Sequence, residues 1–123
     1  MVETPTYLAN AAGLSDVERV RIIMFLAANP MAGDLIPGTG GARKIRFAGR
    51  GKGKSGGYRT ISFYAAPDVP VFLLALVNKG ERADLSMTER NALKKELSGL
   101  ADDYRAAIKA RVARRRIQKG EMR

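Results

Sequence analysis

ARKIRFA (residues 42–48), YRTISFY (residues 58–64) and VFLLALV (residues 71–77) are the three runs whose reading decides the fold. In the first, Ile45 and Phe47 alternate with Lys44 and Arg46, the period of two expected of a half-buried strand. That alternation predicts Lys44 and Arg46 side by side on an outward face. The second run alternates as well, with Ile61 and Phe63 on one face and Tyr58, Thr60, Ser62 and Tyr64 on the other. The third is short and continuously apolar, as a central strand covered on both faces should be. Between them lie GRGKGKSGG (residues 49–57), a basic loop, and a turn over residues 65–70. Three such strands in succession predict an antiparallel meander.

Outward from the meander, both flanks read as helices. Ser15-Asp16-Val17-Glu18 is a capping box, in which a hydroxyl and a carboxylate satisfy the first free amides of a helix. Val17, Val20, Met24 and Ala27 follow at helical spacing and supply the expected buried stripe, and Asn29-Pro30 ends the segment. Residues 33–41, GDLIPGTGG, form a turn-rich connection. A second capping box, Ser86-Met87-Thr88-Glu89, opens one long helix with the stripe Leu93, Leu97, Leu100, Tyr104 and Ile108. Repulsion among Arg114, Arg115 and Arg116 is expected to fray its end. A short extra strand is expected over residues 3–9. The resulting class is α+β, a central antiparallel sheet of three to four strands flanked by an N-terminal helix and a long C-terminal helix. One domain is expected over residues 1–116, followed by a disordered basic tail over residues 117–123.

A chain of 123 residues with 46% hydrophobic content suits a single core. It contains no cysteine and no histidine, which removes thiolate chemistry, the usual general base and the commonest metal ligand. The longest apolar run, residues 69–77, is interrupted by Pro70 and falls far short of the roughly 20 residues a membrane helix needs. The first ten residues lack the layout of a secretory signal, so a cytoplasmic protein is expected. The net charge is +10, and it is concentrated. Residues 35–66 hold seven basic residues and no acid, and residues 105–123 hold eight basic residues against Glu121. Segments 1–34 and 67–104 each sum to −2. Two concentrated cationic blocks favour a polyanion, because neutralising phosphates releases condensed counterions.

One motif misleads. Residues 48–55 fit a relaxed phosphate-loop pattern ending in Gly53-Lys54-Ser55, but such a loop needs a helix directly after it, and a strand pattern follows instead. Asp102-Asp103, Glu81 and Asp84 do not converge as an oxygen-ligand metal site would require, so no metal and no small-molecule cofactor are expected. What remains is a constellation of cations with tyrosines. Lys44 and Arg46 come from one strand, Arg50, Lys52 and Lys54 from the adjoining loop, Tyr58 and Arg59 from the next strand, and Lys79 from just past the third. Cations hold phosphates, and an aromatic ring offers a stacking platform to an unpaired base. Simple alternation puts Arg59 on the Ile61 and Phe63 face, away from the others, unless a bulge at Gly56-Gly57 reorients it. The residues alone therefore indicate a basic α+β domain that binds nucleic acid.

The blocks GDLIPGTGGARKIRFA (residues 33–48), GRGKGKSGGYR (49–59), FLLALV (72–77) and the pair Lys79 and Glu81 before Asp84-Leu85-Ser86 resemble the HigB-like branch of the RelE toxin superfamily. That resemblance implies a RelE-like fold and metal-independent, ribosome-dependent cleavage of messenger RNA. In such chemistry the message's own 2′-hydroxyl attacks the adjacent phosphate, and a lysine whose pKa is lowered by neighbouring cations can serve as base. By position it implies Lys44 and Arg46 as the first-strand catalytic pair, one of them the candidate base, Arg59 as a phosphate clamp, and Lys54 and Lys79 as further catalytic groups. Arg43, Arg50, Lys52 and Tyr58 are the corresponding RNA-binding residues. Gly80 stands where many relatives carry asparagine, so any role of that side chain is missing. The implied partners are messenger RNA, the ribosome with its ribosomal RNA, and a cognate helix-turn-helix antitoxin, with no membrane involved. A ParE-like gyrase poison and a non-catalytic RNA-binding module are the alternative readings.

Overall fold

The computed structural model describes residues 1–48, 57–78 and 85–118. Its centre is the expected meander: β3 (Ala42–Phe47), β4 (Tyr58–Phe63) and β5 (Phe72–Asn78), paired antiparallel in sequence order. Two-residue strands extend it at both edges, β1 (Val2–Glu3) beside β5 and β2 (Asp34–Leu35) beside β3, so the order is β1-β5-β4-β3-β2. β1 runs parallel to β5, which makes the sheet five-stranded and mixed rather than purely antiparallel. Edge strands this short carry no readable alternation. Leu74 is an extra residue in β5, since Ile61 pairs with Ala75 and Ser62 with Leu73.

The expected strand over residues 3–9 is corrected to a helix, α1 (Pro5–Asn10). Thr4 caps it by accepting from the Tyr7 amide at 3.3 Å, and Pro5 occupies the first turn, where its missing N–H costs nothing. Thr4 also bonds through its hydroxyl to the Leu73 carbonyl at 2.8 Å, tying the helix start to the sheet. α2 (Asp16–Ala28) begins at the Ser15 cap as expected. Its buried side is a different one, however: Ile22 and Leu26 are buried, whereas Val17, Val20 and Met24 are 55%, 52% and 67% exposed. Apolar residues surround this helix almost completely, so its period alone does not select the inward face.

The long C-terminal helix is two helices, α3 (Met87–Leu97) and α4 (Leu100–Gln118), separated at Ser98 and Gly99. Gly99 adopts φ +84°, the left-handed conformation that terminates helices. Both partners of the Ser86–Glu89 capping box are bonded. Leu93, Leu97, Leu100 and Tyr104 all pack on the sheet despite the break. α4 continues through Arg114–Arg116 to Gln118 where fraying is expected. Alanine and arginine are strong helix formers, and cations near a helix C-terminus interact favourably with its dipole.

Both faces of the sheet are cores. On one side, α1, α2 and the single 3-10 turn between them contribute Tyr7, Ala11, Ile22 and Leu26 over Tyr58, Leu73 and Leu76, with Ile45 and Phe47 packed against them. On the other, α3 and α4 cover Ala42, Phe63, Phe72 and Leu74. Burial pushes the Tyr7 phenol up to about 12, and its hydroxyl has no hydrogen-bond partner among the described residues.

Candidate functional site

Register decides which cations meet. Residues directly opposite on paired strands project to the same face, and β3 pairs with β4 as Ala42 with Phe63, Lys44 with Ile61, and Arg46 with Arg59. Lys44, Arg46 and Arg59 therefore share a face, and no bulge at Gly56-Gly57 is needed to bring Arg59 round. The expectation that Arg59 points away from the lysine–arginine pair is corrected: the Ile61 and Phe63 side is itself the side of Lys44 and Arg46.

Along that face burial falls from one end to the other. Ala42, Phe63 and Phe72 lie beneath α3 and α4 and are buried. One step further, Ile61 is still buried while Lys44 and Ala75 are half-buried. At the far end Arg46 is exposed, and Arg59 and Val77 are half-buried. Arg59 is the one residue of β4 that is not buried. Among the described residues, the helices thus cover only part of this face, and Arg46 is exposed at its cationic end.

Arg46 and Arg59, as a directly opposed pair, hold their Cβ atoms roughly 4.5–5.5 Å apart, and like charges so placed repel. An anion laid across them relieves that repulsion and receives donors from two planar guanidinium groups, each able to bond a phosphate through two N–H groups. Lys44, diagonal to Arg59, adds a primary amine on the same surface. Gly33 makes this edge possible. At φ +96° it passes so close to β3 that a Cβ there would lie 2.5 Å from the Lys44 carbonyl oxygen.

The opposite face explains two residues that do not join the site. Tyr58 is 3% exposed and stacks on Phe47 at 6.1 Å, so its expected role as a stacking platform for a base is corrected: no ring face is open. Arg43 also projects away from Lys44 and Arg46, and its guanidinium donates to the Gly33 carbonyl at 3.0 Å. That bond ties it to the β2 connection. Arg21 of α2, which the sequence does not single out, donates to the Ala48 carbonyl at 2.7 Å and to the Tyr58 hydroxyl at 3.0 Å. It clamps the end of β3 and the start of β4 from behind, directly beneath the Arg46–Arg59 step.

Arg50, Lys52, Lys54 and Lys79 lie outside the described residues, as does nearly all of the phosphate-loop pattern. The strand β4, not a helix, follows that pattern. Among the described residues no group of three His, Cys, Asp or Glu could hold a metal ion, and no helix is long and apolar enough to cross a membrane. A family model described as the RelE toxin of the RelE/RelB toxin–antitoxin system matches residues 8–122.

Proposed function

The chain belongs to the RelE toxin family of toxin–antitoxin systems, and from that premise we propose that it inhibits translation by cutting messenger RNA on the ribosome, with the open end of the sheet as its cleavage site. The observation that supports this reading best is the alignment of Lys44, Arg46 and Arg59 on one face by strand register, with Arg46 exposed. The HigB-like branch, with its cytoplasmic site of action and a helix-turn-helix antitoxin as cognate partner, is the finer form of the same reading.

The chemistry follows from the groups available. The 2′-oxygen of the message forms a bond to the adjacent phosphorus while the bond from phosphorus to the 5′-oxygen breaks. The products are a 2′,3′-cyclic phosphate and a free 5′-hydroxyl. Arg46 and Arg59 hold the non-bridging oxygens and stabilise the charge that grows on them in the transition state. Of the first-strand pair only Lys44, when in its neutral amine form, can take the 2′-hydroxyl proton, because a guanidinium does not deprotonate in proteins. A lysine ammonium, Lys54 or Lys79, supplies a proton to the departing 5′-oxygen. Arg50 and Lys52 anchor neighbouring phosphates. None of these steps requires histidine.

Expression of the chain without its antitoxin is expected to arrest growth, with new 5′ ends inside translated codons. Intact messages during arrest, together with DNA damage and continuing translation, would overturn the reading and favour gyrase poisoning.

A further inference from the structure

We propose that residues 109–118 of α4 form a second RNA-binding element, a cationic helix that seats in the groove of a folded RNA stem. The proposal rests on the ribosome-directed reading above for its choice of RNA over other polyanions, and on the geometry of α4 for everything else.

On α4 the ring of Tyr104 meets Phe72 edge-on at 6.0 Å, and beyond it only Arg105 and Ile108 are half-buried. Beside it, Arg105 forms a two-pronged salt bridge to Asp68 in the β4–β5 turn, at 2.6 and 2.8 Å, and reaches Asp102 at 3.2 Å. These contacts fix the direction in which the helix leaves the domain. Every residue from Lys109 to Gln118 is exposed. At about 1.5 Å per residue this is a rod of roughly 15 Å standing clear of the sheet. It carries Lys109, Arg111, Arg114, Arg115 and Arg116 and no acid. None of the five takes part in a hydrogen bond or salt bridge among the described residues, in contrast to Arg105.

Their angular placement selects the partner. At about 100° per residue, Ala106, Ala110, Ala113 and Ile117 fall in one narrow sector. Lys109 and Arg116 lie on one flank of it, Arg114 and Arg111 on the other, and Arg115 at the back. A helix lying in a nucleic-acid groove needs this arrangement. Small side chains facing the floor let the axis approach, and cations on both flanks meet the phosphates of both walls. A protein groove would demand a substantial apolar stripe, and a sector of mostly alanine offers little area to bury. The deep groove of regular A-form RNA is too narrow for side chains to read, so the fitting partner is a stem opened by a bulge or internal loop.

The test uses the full chain and the quadruple variant Lys109→Gln, Arg111→Gln, Arg114→Gln and Arg116→Gln, with helix content checked by circular dichroism. Binding is measured by fluorescence anisotropy across a salt series, to a bulged RNA hairpin and to a DNA duplex of matching sequence. Message cleavage by the unaltered chain on programmed ribosomes is scored in parallel. The variant should bind the bulged RNA at least tenfold more weakly, with a log–log salt slope shallower by about three, since each lost phosphate contact removes roughly 0.7–0.9. Unchanged affinity and slope would overturn the proposal. So would tighter binding to the DNA duplex, or a variant that loses only its binding to the antitoxin protein. If the unaltered chain cuts no message while the variant still loses RNA binding, the helix proposal stands and the nuclease reading falls.

Discussion

The two faces of the sheet are built from the same three strands and end differently. The face toward α1 and α2 is closed along the length of β4: Tyr58, Thr60 and Ser62 are all buried there, and Leu73 and Leu76 beside them are too. The face toward α3 and α4 is closed at the Ala42–Phe63 end and open at the Arg46–Arg59 end. A ladder supported from behind by a full core can hold cations at fixed spacing on its front, where Arg46 is exposed. The proposed cleavage site and the fully closed core thus lie on opposite sides of the same strands.

The largest expected effect separates the two sides most cleanly. Arg46→Ala should lower the rate of message cleavage by about 10²–10³-fold, the range for removing one preorganised charge-stabilising donor. Its melting temperature should change little, because Arg46 is exposed and belongs to neither core. A loss of stability matching the loss of activity would break the contrast. On the closed face the pattern should invert. Leu73→Ala empties a fully buried position and should cost about 2–5 kcal/mol in denaturant unfolding, while the folded fraction keeps its cleavage rate.

Arg21 joins the two sides, since it bonds the strand ends from the closed face. Arg21→Ala should cost about 1 kcal/mol, modest because the side chain is exposed. It should also slow cleavage by loosening the Arg46–Arg59 step, measured as a fall in rate at saturating ribosomes. The smallest effect at neutral pH belongs to Tyr7. A phenol raised from 10.0 to about 12 keeps its proton in the folded state where the unfolded chain has lost it, so stability falls as pH rises between those values. The slope is about 1.4 kcal/mol per pH unit. Tyr7→Phe should flatten that alkaline loss in melts at pH 8 and 11 and leave cleavage at neutral pH unaltered.

The meander was legible because alternation in β3 and β4 and the continuous apolar run of β5 are strong local patterns. α1 is too short to show a period, and the break at Gly99 hides because Leu93, Leu97, Leu100 and Tyr104 stay in phase across it. At the site, the residue types were readable and their grouping was not. Alternation gives the two faces of a strand, but which face lies open depends on what covers it. Here the face that carries Tyr58 is covered by α1 and α2, so its ring is buried, and Arg59 was wrongly set apart from Lys44 and Arg46. Arg21 carried no signal, being one of four charged residues in α2, with partners 27 and 37 positions away.

The central claim, that the open Lys44, Arg46 and Arg59 face cuts RNA, is tested most directly by the chemistry of the cut ends. Ribosomes programmed with a defined message are incubated with the purified chain or with Arg46→Ala, and both fragments are sequenced and end-typed. A 2′,3′-cyclic phosphate upstream and a 5′-hydroxyl downstream, both greatly reduced with Arg46→Ala, is the predicted result. Cleavage that leaves a 5′-phosphate, or that proceeds equally without Arg46, would contradict it.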